Sequence, residues 1–405
     1  MNKNITRVAS LLLALLCVSP HAFAFGSKPI DPLRQRAEQG DIEAQVDLGL
    51  NYCNGTGGVK KDYKKGFRWL SVAAEKGHSD AQCNLGLLYF NGHGVKQNIL
   101  EAIKWFHIAA DQGNSMAQIY LGICYENGQG VPKDFVEAVK WYRKSAEKGN
   151  AKSQCALALC YALGDGVNKD YADAARWFRK SADQGDAMAQ FMLGLCYAHG
   201  EGLAKNDVEA VKWFRKAATQ GNAMAQYKLG ICLYNGYGVA KDEVEAAKWF
   251  RQSAENGYPP SQRNLGSCYE NGWGVKQDYA QAFKWFQKSA QNGLPEGQMA
   301  LGFYYSKGRG IKQNNSEAFK WYRKSALNGL PEGQFLTGLQ YKNGRGVKKD
   351  EVEAYAYFHL ASQRDADARQ ERNFLKKHLT EEQITAGQRR AKELQKQIDA
   401  QGAAN

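Results

Sequence analysis

Residues 186–221 read DAMAQFMLGLCYAHGEGLAKNDVEAVKWFRKAATQG. Their spacing predicts a first helix from about Asp186 to Ala198, a loop around Gly200 and Gly202, and a second helix from about Asn206 to Thr219. Ala210 and Trp213 lie three apart on the second helix and face back toward the first. The same text recurs along the chain. A glycine closing AEKG, ADQG or a variant falls at 40, 77, 113, 149, 185, 221, 257, 293 and 329. Tryptophan follows at 69, 105, 141, 177, 213, 249, 285 and 321, with Tyr357 in the ninth slot. The 405-residue chain therefore holds nine helix-turn-helix repeats, 41–77 and then eight of 36 residues up to 330–365.

Each slot has a physical reading. Leu193-Gly194 recurs as Leu-Gly in seven repeats; leucine fills the core and glycine lets the partner helix approach. Gln190 has a glutamine counterpart in every repeat, from Gln45 to Gln334, and is expected to bond a neighbouring backbone group. The loop NGWGVKQD, residues 271–278, raises the question of phosphate binding, because Gly-x-Gly opens a helix there. No Gly-Lys-Ser/Thr follows and no strand precedes. The glycines read as punctuation: Gly272 ends the first helix in the left-handed conformation, Gly274 permits the return, and Val275 packs the loop on the core. Asp278 caps the second helix, with Gln281 completing a capping box, as do Asp134 with Glu137, Asp242 with Glu245 and Asp350 with Glu353.

The pattern AQ..LG..Y..G.GV..D...A..W(F/Y)..(A/S)A..G resembles the Sel-1-like repeat, a relative of the tetratricopeptide repeat, over about 41–365. The resemblance implies an all-α fold, a right-handed α/α superhelix or solenoid of nine repeats with terminal caps. It also implies a scaffold for proteins or peptides, with secreted bacterial members acting as adaptors in envelope processes, host interaction or regulation. A cysteine-rich branch of the family is linked to β-lactam binding. That branch pairs a cysteine at the end of the second helix with one in the next first helix. Here the slot holds Ser145, Ser181, Ala217, Ser253 and Ser289, which speaks against it.

Such a stack needs ends. Residues 25–40 include PLRQRAEQG, a half-repeat cap, and 366–405 read as two closing helices, the second capped by Thr380 with Glu382 close behind. Residues 1–24 have another character: Lys3 and Arg7, an apolar run from Val8 to Val18, and Ala22-Phe23-Ala24 predict a cleaved secretory signal. Leu16 before Cys17 argues against a lipobox, and no later run is apolar enough to cross a membrane. The chain is expected to be exported, periplasmic or secreted, and monomeric.

Chemistry finds little footing. Cys124, Cys160, Cys196, Cys232 and Cys268 share one slot at spacing 36, too far apart from repeat to repeat for disulfides. They read as small half-buried thiols, and no histidine joins them as a metal ligand. No cofactor is expected. A β-lactam- or peptidoglycan-interacting envelope protein with hydrolase activity is the alternative to a non-enzymatic scaffold. The formal charge of +13 reflects a basic ladder beside the tryptophans, Arg68, Lys104, Lys140, Arg176, Lys212, Lys248, Lys284 and Lys320, then Arg143, Arg179, Arg215, Arg251 and Arg323. It reads as a solvated face whose stems cover tryptophan rather than a polyanion track. An exported chain is not expected to meet nucleic acid.

Partner binding belongs to slots that vary. In tetratricopeptide-like stacks the first helices line a concave groove, where a protein or peptide partner would meet Tyr120, Met192, Lys228, Asn264 and, four residues further round, Tyr304. The loop centres form a second row whose later half reads Tyr237, Trp273, Arg309, Arg345. Aromatics and arginine anchor interfaces, and Trp273 is the one tryptophan outside the repeating slot, so this patch ranks first.

Overall fold

A computed structural model describes residues 30–404, in which every regular element is an α-helix, an all-α solenoid fold. The expected signal at 1–24 and Cys17 lie outside these residues. The described residues divide into two compact units, with the boundary between Asn206 and Asp207. No helix is long and apolar enough to cross a membrane among the described residues. The hairpin of residues 186–221 resolves into Ala187–His199 and Asp207–Thr219, within one residue of the boundaries read from its spacing.

Helix ends follow local chemistry. In the first six repeats the first helix starts behind a side-chain cap, such as Asn222 accepting the Ala225 N–H. The last three substitute proline in the first turn, Pro259, Pro295 and Pro331, whose missing N–H needs no partner. Second helices start at an aspartate or asparagine in extended conformation. Asp278 Oδ1 accepts the N–H groups of Ala280 and Gln281 at 2.9 and 3.0 Å.

The return leg of the expected capping box is missing, for a physical reason. The Asp278 N–H already donates to the Tyr269 carbonyl at 2.9 Å, pinning the loop to the first helix. Asp134 and Asp350 do the same with Tyr125 and Tyr341. The glutamates are thereby released for other work: Glu245 accepts from Arg215 at 2.6 Å and Glu353 from Arg390 at 2.7 Å. A full box does form at the closing helix Glu381–Ala404, between Thr380 and Gln383, one residue past the Glu382 singled out in the sequence.

In six hairpins the core sets glycine against ring. A Cβ on Gly122 would stand 2.3 Å from the Tyr142 ring, and one on Gly266 2.8 Å from Phe286. The fully enclosed ring is thus the residue after the tryptophan: Phe106, Tyr142, Phe178, Phe250, Phe286, Tyr322 and Phe358. Most tryptophans are half-buried, and they meet the neighbouring repeat instead, as Trp141 packs on His107 with ring centres 5.6 Å apart.

Neighbouring repeats are stapled by polar side chains. All nine slot glutamines donate to the carbonyl of an alanine eight residues earlier, from Gln45 to Ala37 at 2.9 Å through Gln334 to Ala326 at 3.4 Å. That alanine belongs to the preceding second helix, or for Gln45 to the helix Ile30–Glu38. The glutamine oxygen is met in turn from the end of its own hairpin's second helix, as Asn256 donates to Gln226 at 3.0 Å. Lys148 breaks this ladder by turning to the Gly113 carbonyl, leaving Gln118 Oε1 buried without a partner. The slot that carries cysteine in the β-lactam-linked branch instead ties the two helices of one hairpin: Ser253 Oγ donates to the Ala223 carbonyl at 2.6 Å.

Candidate functional site: the loop row of the second unit

Four loops of the second unit share one construction. Gly272 adopts φ +76 and donates its N–H to the Cys268 carbonyl at 2.8 Å, and the Trp273 N–H donates to the same oxygen at 3.0 Å. Two amides that a phosphate would need are therefore already bonded. Gly274 does more than turn the chain. A Cβ there would fall 1.9 Å from the Glu243 carbonyl oxygen, on the second helix of the preceding repeat. The loop is thus clamped at both glycines while its central side chain is turned outward.

The row places Tyr237, Trp273, Arg309 and Arg345 outward. Tyr237 is 55% exposed and Trp273 36%. Trp273 leans on Tyr234 with ring centres 5.3 Å apart, and Lys241 lies over that tyrosine at 5.5 Å. Arg309 donates to Glu270 Oε1 at 3.0 Å, and its guanidinium sits 5.1 Å from the Phe303 ring and 5.7 Å from Tyr279. Arg345, Lys276, Lys312 and Lys348 are exposed and make no ion pair among the described residues. The row is therefore a ledge of aromatic faces and held or free cations.

The first-helix stripe is different. Met192 is 2% exposed and Tyr304 1%, so neither can meet a partner. They fill the space between successive hairpins, where a first helix is covered on two sides. Tyr120 stacks on Phe106 at 5.2 Å. Lys228 and Asn264 are half-buried. Burial lowers the Lys228 ammonium below its usual value, and the amine lies on the same helix as Cys232. The stripe expected to line a groove is largely interior packing.

The cysteine slot is also interior, more deeply than expected: Cys124, Cys160, Cys196 and Cys268 are buried and Cys232 half-buried. Burial pushes the Cys196 and Cys268 thiols up to about 12 and Cys232 to about 11, so none is an activated nucleophile at neutral pH.

The basic ladder is resolved in detail. Lys140 and Lys320 pair with glutamates one turn earlier at 2.8 and 2.7 Å, and Arg143 and Arg251 donate to tyrosines on the first helix of the following repeat at 2.8 Å each. The stems covering tryptophan are not theirs. Lys144, Lys180, Lys216, Lys288 and Lys324, three residues past each tryptophan, hold their ammonium groups 3.9–4.3 Å from the ring centres.

Comparison with known proteins follows the geometry. The Sel1 repeat family matches nine consecutive segments, from 42–78 to 331–365. The crystal structure of c5321, described as a protective antigen present in uropathogenic Escherichia coli strains displaying an SLR fold, is 34% identical. It aligns over 93% of this chain and 88% of its own, with a TM-score of 0.56. A Sel1 repeat protein from Oxalobacter formigenes, also 34% identical, aligns over 81% of this chain and 93% of its own with a TM-score of 0.61. Comparison with curated proteins gave no match.

Proposed function

This chain belongs to the Sel1 repeat family, and from that premise we propose that it is an exported, non-enzymatic adaptor that captures a protein partner on the loop row of its second unit. Proteins of this repeat family generally mediate protein–protein interaction, and the repeat is typically a non-catalytic scaffold. The observation that carries the site is Trp273, a large ring set outward on a loop held rigid at Gly272 and Gly274, so little ordering entropy is lost on contact. Arg309, already fixed by Glu270, and the free cations Arg345, Lys276, Lys312 and Lys348 favour a partner with an acidic, aromatic-bearing surface. The description of c5321 as a protective antigen supports an exported location. The expected signal at 1–24 supports the same location, in the periplasm, at the cell surface or outside, including engagement of host proteins.

The test compares capture of envelope and host proteins by the mature chain with capture by Trp273→Ala. Loss of a captured protein at an unchanged melting midpoint supports the site; parallel loss of helicity and capture removes it. Cell fractionation, with the mass of the recovered chain showing whether residues 1–24 are gone, tests export. Incubation with a chromogenic β-lactam and with peptidoglycan tests the hydrolase reading, which has only the family's cysteine-rich branch behind it.

A further inference from the structure

The outward ridge of each second helix carries residues spaced by four. In repeat eight it reads Ser316, Lys320, Lys324, and in most repeats the third position is the lysine that covers tryptophan. Repeats one and two break that rule. Their ridges are Lys64, Arg68, Val72 and Leu100, Lys104, Ile108, with Val72 39% exposed, Ile108 44% and Leu100 63%. Exposure at the Leu100 slot is general, since Val136, Val208 and Val244 are exposed there too. The apolar third position is not, and Trp69 and Trp105 lack the lysine that shields other tryptophans.

The last repeat breaks the rule as well, and shows what an apolar ridge is for. Its ridge is Val352, Ala356, Leu360, and the closing helix Glu381–Ala404 lies over it. That helix buries Ile384, Gly387, Ala391 and Leu394, spaced by three and four. Gly387 sits where a Cβ would stand 2.7 Å from the Tyr355 ring, and Arg390 fastens the helix to Glu353 at 2.7 Å. An apolar third position on a second helix is thus matched, within this chain, to an amphipathic helix.

We propose that the outer face of repeats one and two, centred on Val72 and Ile108, docks an amphipathic helix of a partner protein whose polar flank is acidic. The flank follows from charge. Lys64 and Arg68 are exposed and form no ion pair among the described residues, and Lys104 is paired only at the surface, with Glu101. The closing helix of a second copy is the wrong occupant, because its Arg389, Arg390, Lys392 and Lys396 would meet these cations. This face lies in the first unit and stands independently of the loop row.

The probe is a fluorescein-labelled peptide of residues 381–404 carrying Arg389→Glu, Lys392→Glu and Lys396→Glu, titrated by anisotropy against the mature chain. It binds the unaltered chain, and the same peptide without the three substitutions binds at least about tenfold more weakly. Val72→Lys with Ile108→Lys weakens the acidic peptide by at least about tenfold, and Arg68→Glu weakens it too. Lysine is what five other repeats carry at that position, so the double variant keeps its melting midpoint. Val72→Gln with Ile108→Gln, using the residue of repeat six, is the second variant and weakens binding in the same way. Failure of the acidic peptide to bind overturns the proposal. So does binding that survives both double variants, which includes exchange at the last repeat, or tighter binding by the basic peptide.

Discussion

Replacing Gly274 by alanine separates two roles of the loop glycines that look alike in sequence. Gly257 and Gly274 both have positive φ, +84 and +66. A Cβ on Gly257 meets nothing within 4 Å, so Gly257→Ala carries only the left-handed backbone penalty of about 1 kcal/mol. A Cβ on Gly274 would lie 1.9 Å from the Glu243 oxygen, 2.4 Å from its carbon and 2.8 Å from the Val244 nitrogen. These are helix backbone atoms and cannot rotate away. The loop must lift instead, which weakens its clamp on the preceding repeat and adds about 2–3 kcal/mol to the same backbone penalty. For a unit of this size, 1 kcal/mol moves the melting midpoint by about 2–4 °C. Far-UV circular dichroism on the mature chain should therefore show Gly257→Ala down by roughly 3 °C and Gly274→Ala by roughly 10 °C. Equal shifts for the two variants, or a Gly274→Ala protein as stable as the parent, would refute the idea that this glycine is demanded by inter-repeat approach.

Other consequences follow from the same geometry. Gln226→Ala strips the Ala218 carbonyl and the Asn256 amide of a buried partner and should cost about 1–3 kcal/mol in urea unfolding. Burial, reinforced by Asp165, raises the Glu126 carboxyl above its usual value, against the Tyr142 hydroxyl at 2.6 Å and Lys133. The folded group binds its proton more tightly than the unfolded one, so its stabilising contribution is present at low pH and is lost as pH rises through the folded value. Glu126→Gln should accordingly be more stable than the parent at pH 7, with the gap closing as pH falls below the ordinary carboxylate range. A gap that persists at pH 3 would contradict this. Trp273→Ala should lower stability by no more than about 1 kcal/mol, since it loses mainly the Tyr234 ring contact. A thiol reagent at pH 8 should modify Cys232 before Cys124 or Cys268, whose reaction awaits unfolding; simultaneous modification would contradict the burial pattern.

The hairpins were legible because their signals are local. A cap such as Asp278, a left-handed glycine such as Gly272 and helical spacing between them act within a few residues, and tandem recurrence confirms each. The core ring was not legible. Trp285 and Phe286 are adjacent, both aromatic and both recurrent, and composition cannot say which faces the hairpin's own glycine and which the next repeat. The structure assigns the enclosed place to Phe286 because only a ring directly opposite Gly266 can fill the space that the missing side chain leaves. The second role of Gly274 was hidden for a related reason: its constraint comes from Glu243, in another repeat.

The same limit explains the candidate surfaces. In sequence, variation in a slot reads as freedom to recognise a partner. In a stack a slot also varies when its neighbours in adjacent repeats vary with it. Met192 and Tyr304 are of that kind: they differ between repeats because the gaps they fill differ. Trp273 and Tyr237 sit on loops whose backbone is fixed at both glycines and whose centres touch few neighbours, so variation there changes the surface without changing the stack. Exposure alone does not make the distinction; what makes it is whether rigid backbone presents the side chain. The apolar ridge of Val72 and Ile108 meets that condition from another direction, since it lies on regular helix and differs from its counterparts by loss of a shielding lysine. A helix that keeps an uncovered apolar residue where five equivalents carry charge gains nothing from it in the isolated chain, and the last repeat shows the kind of element that would make use of it.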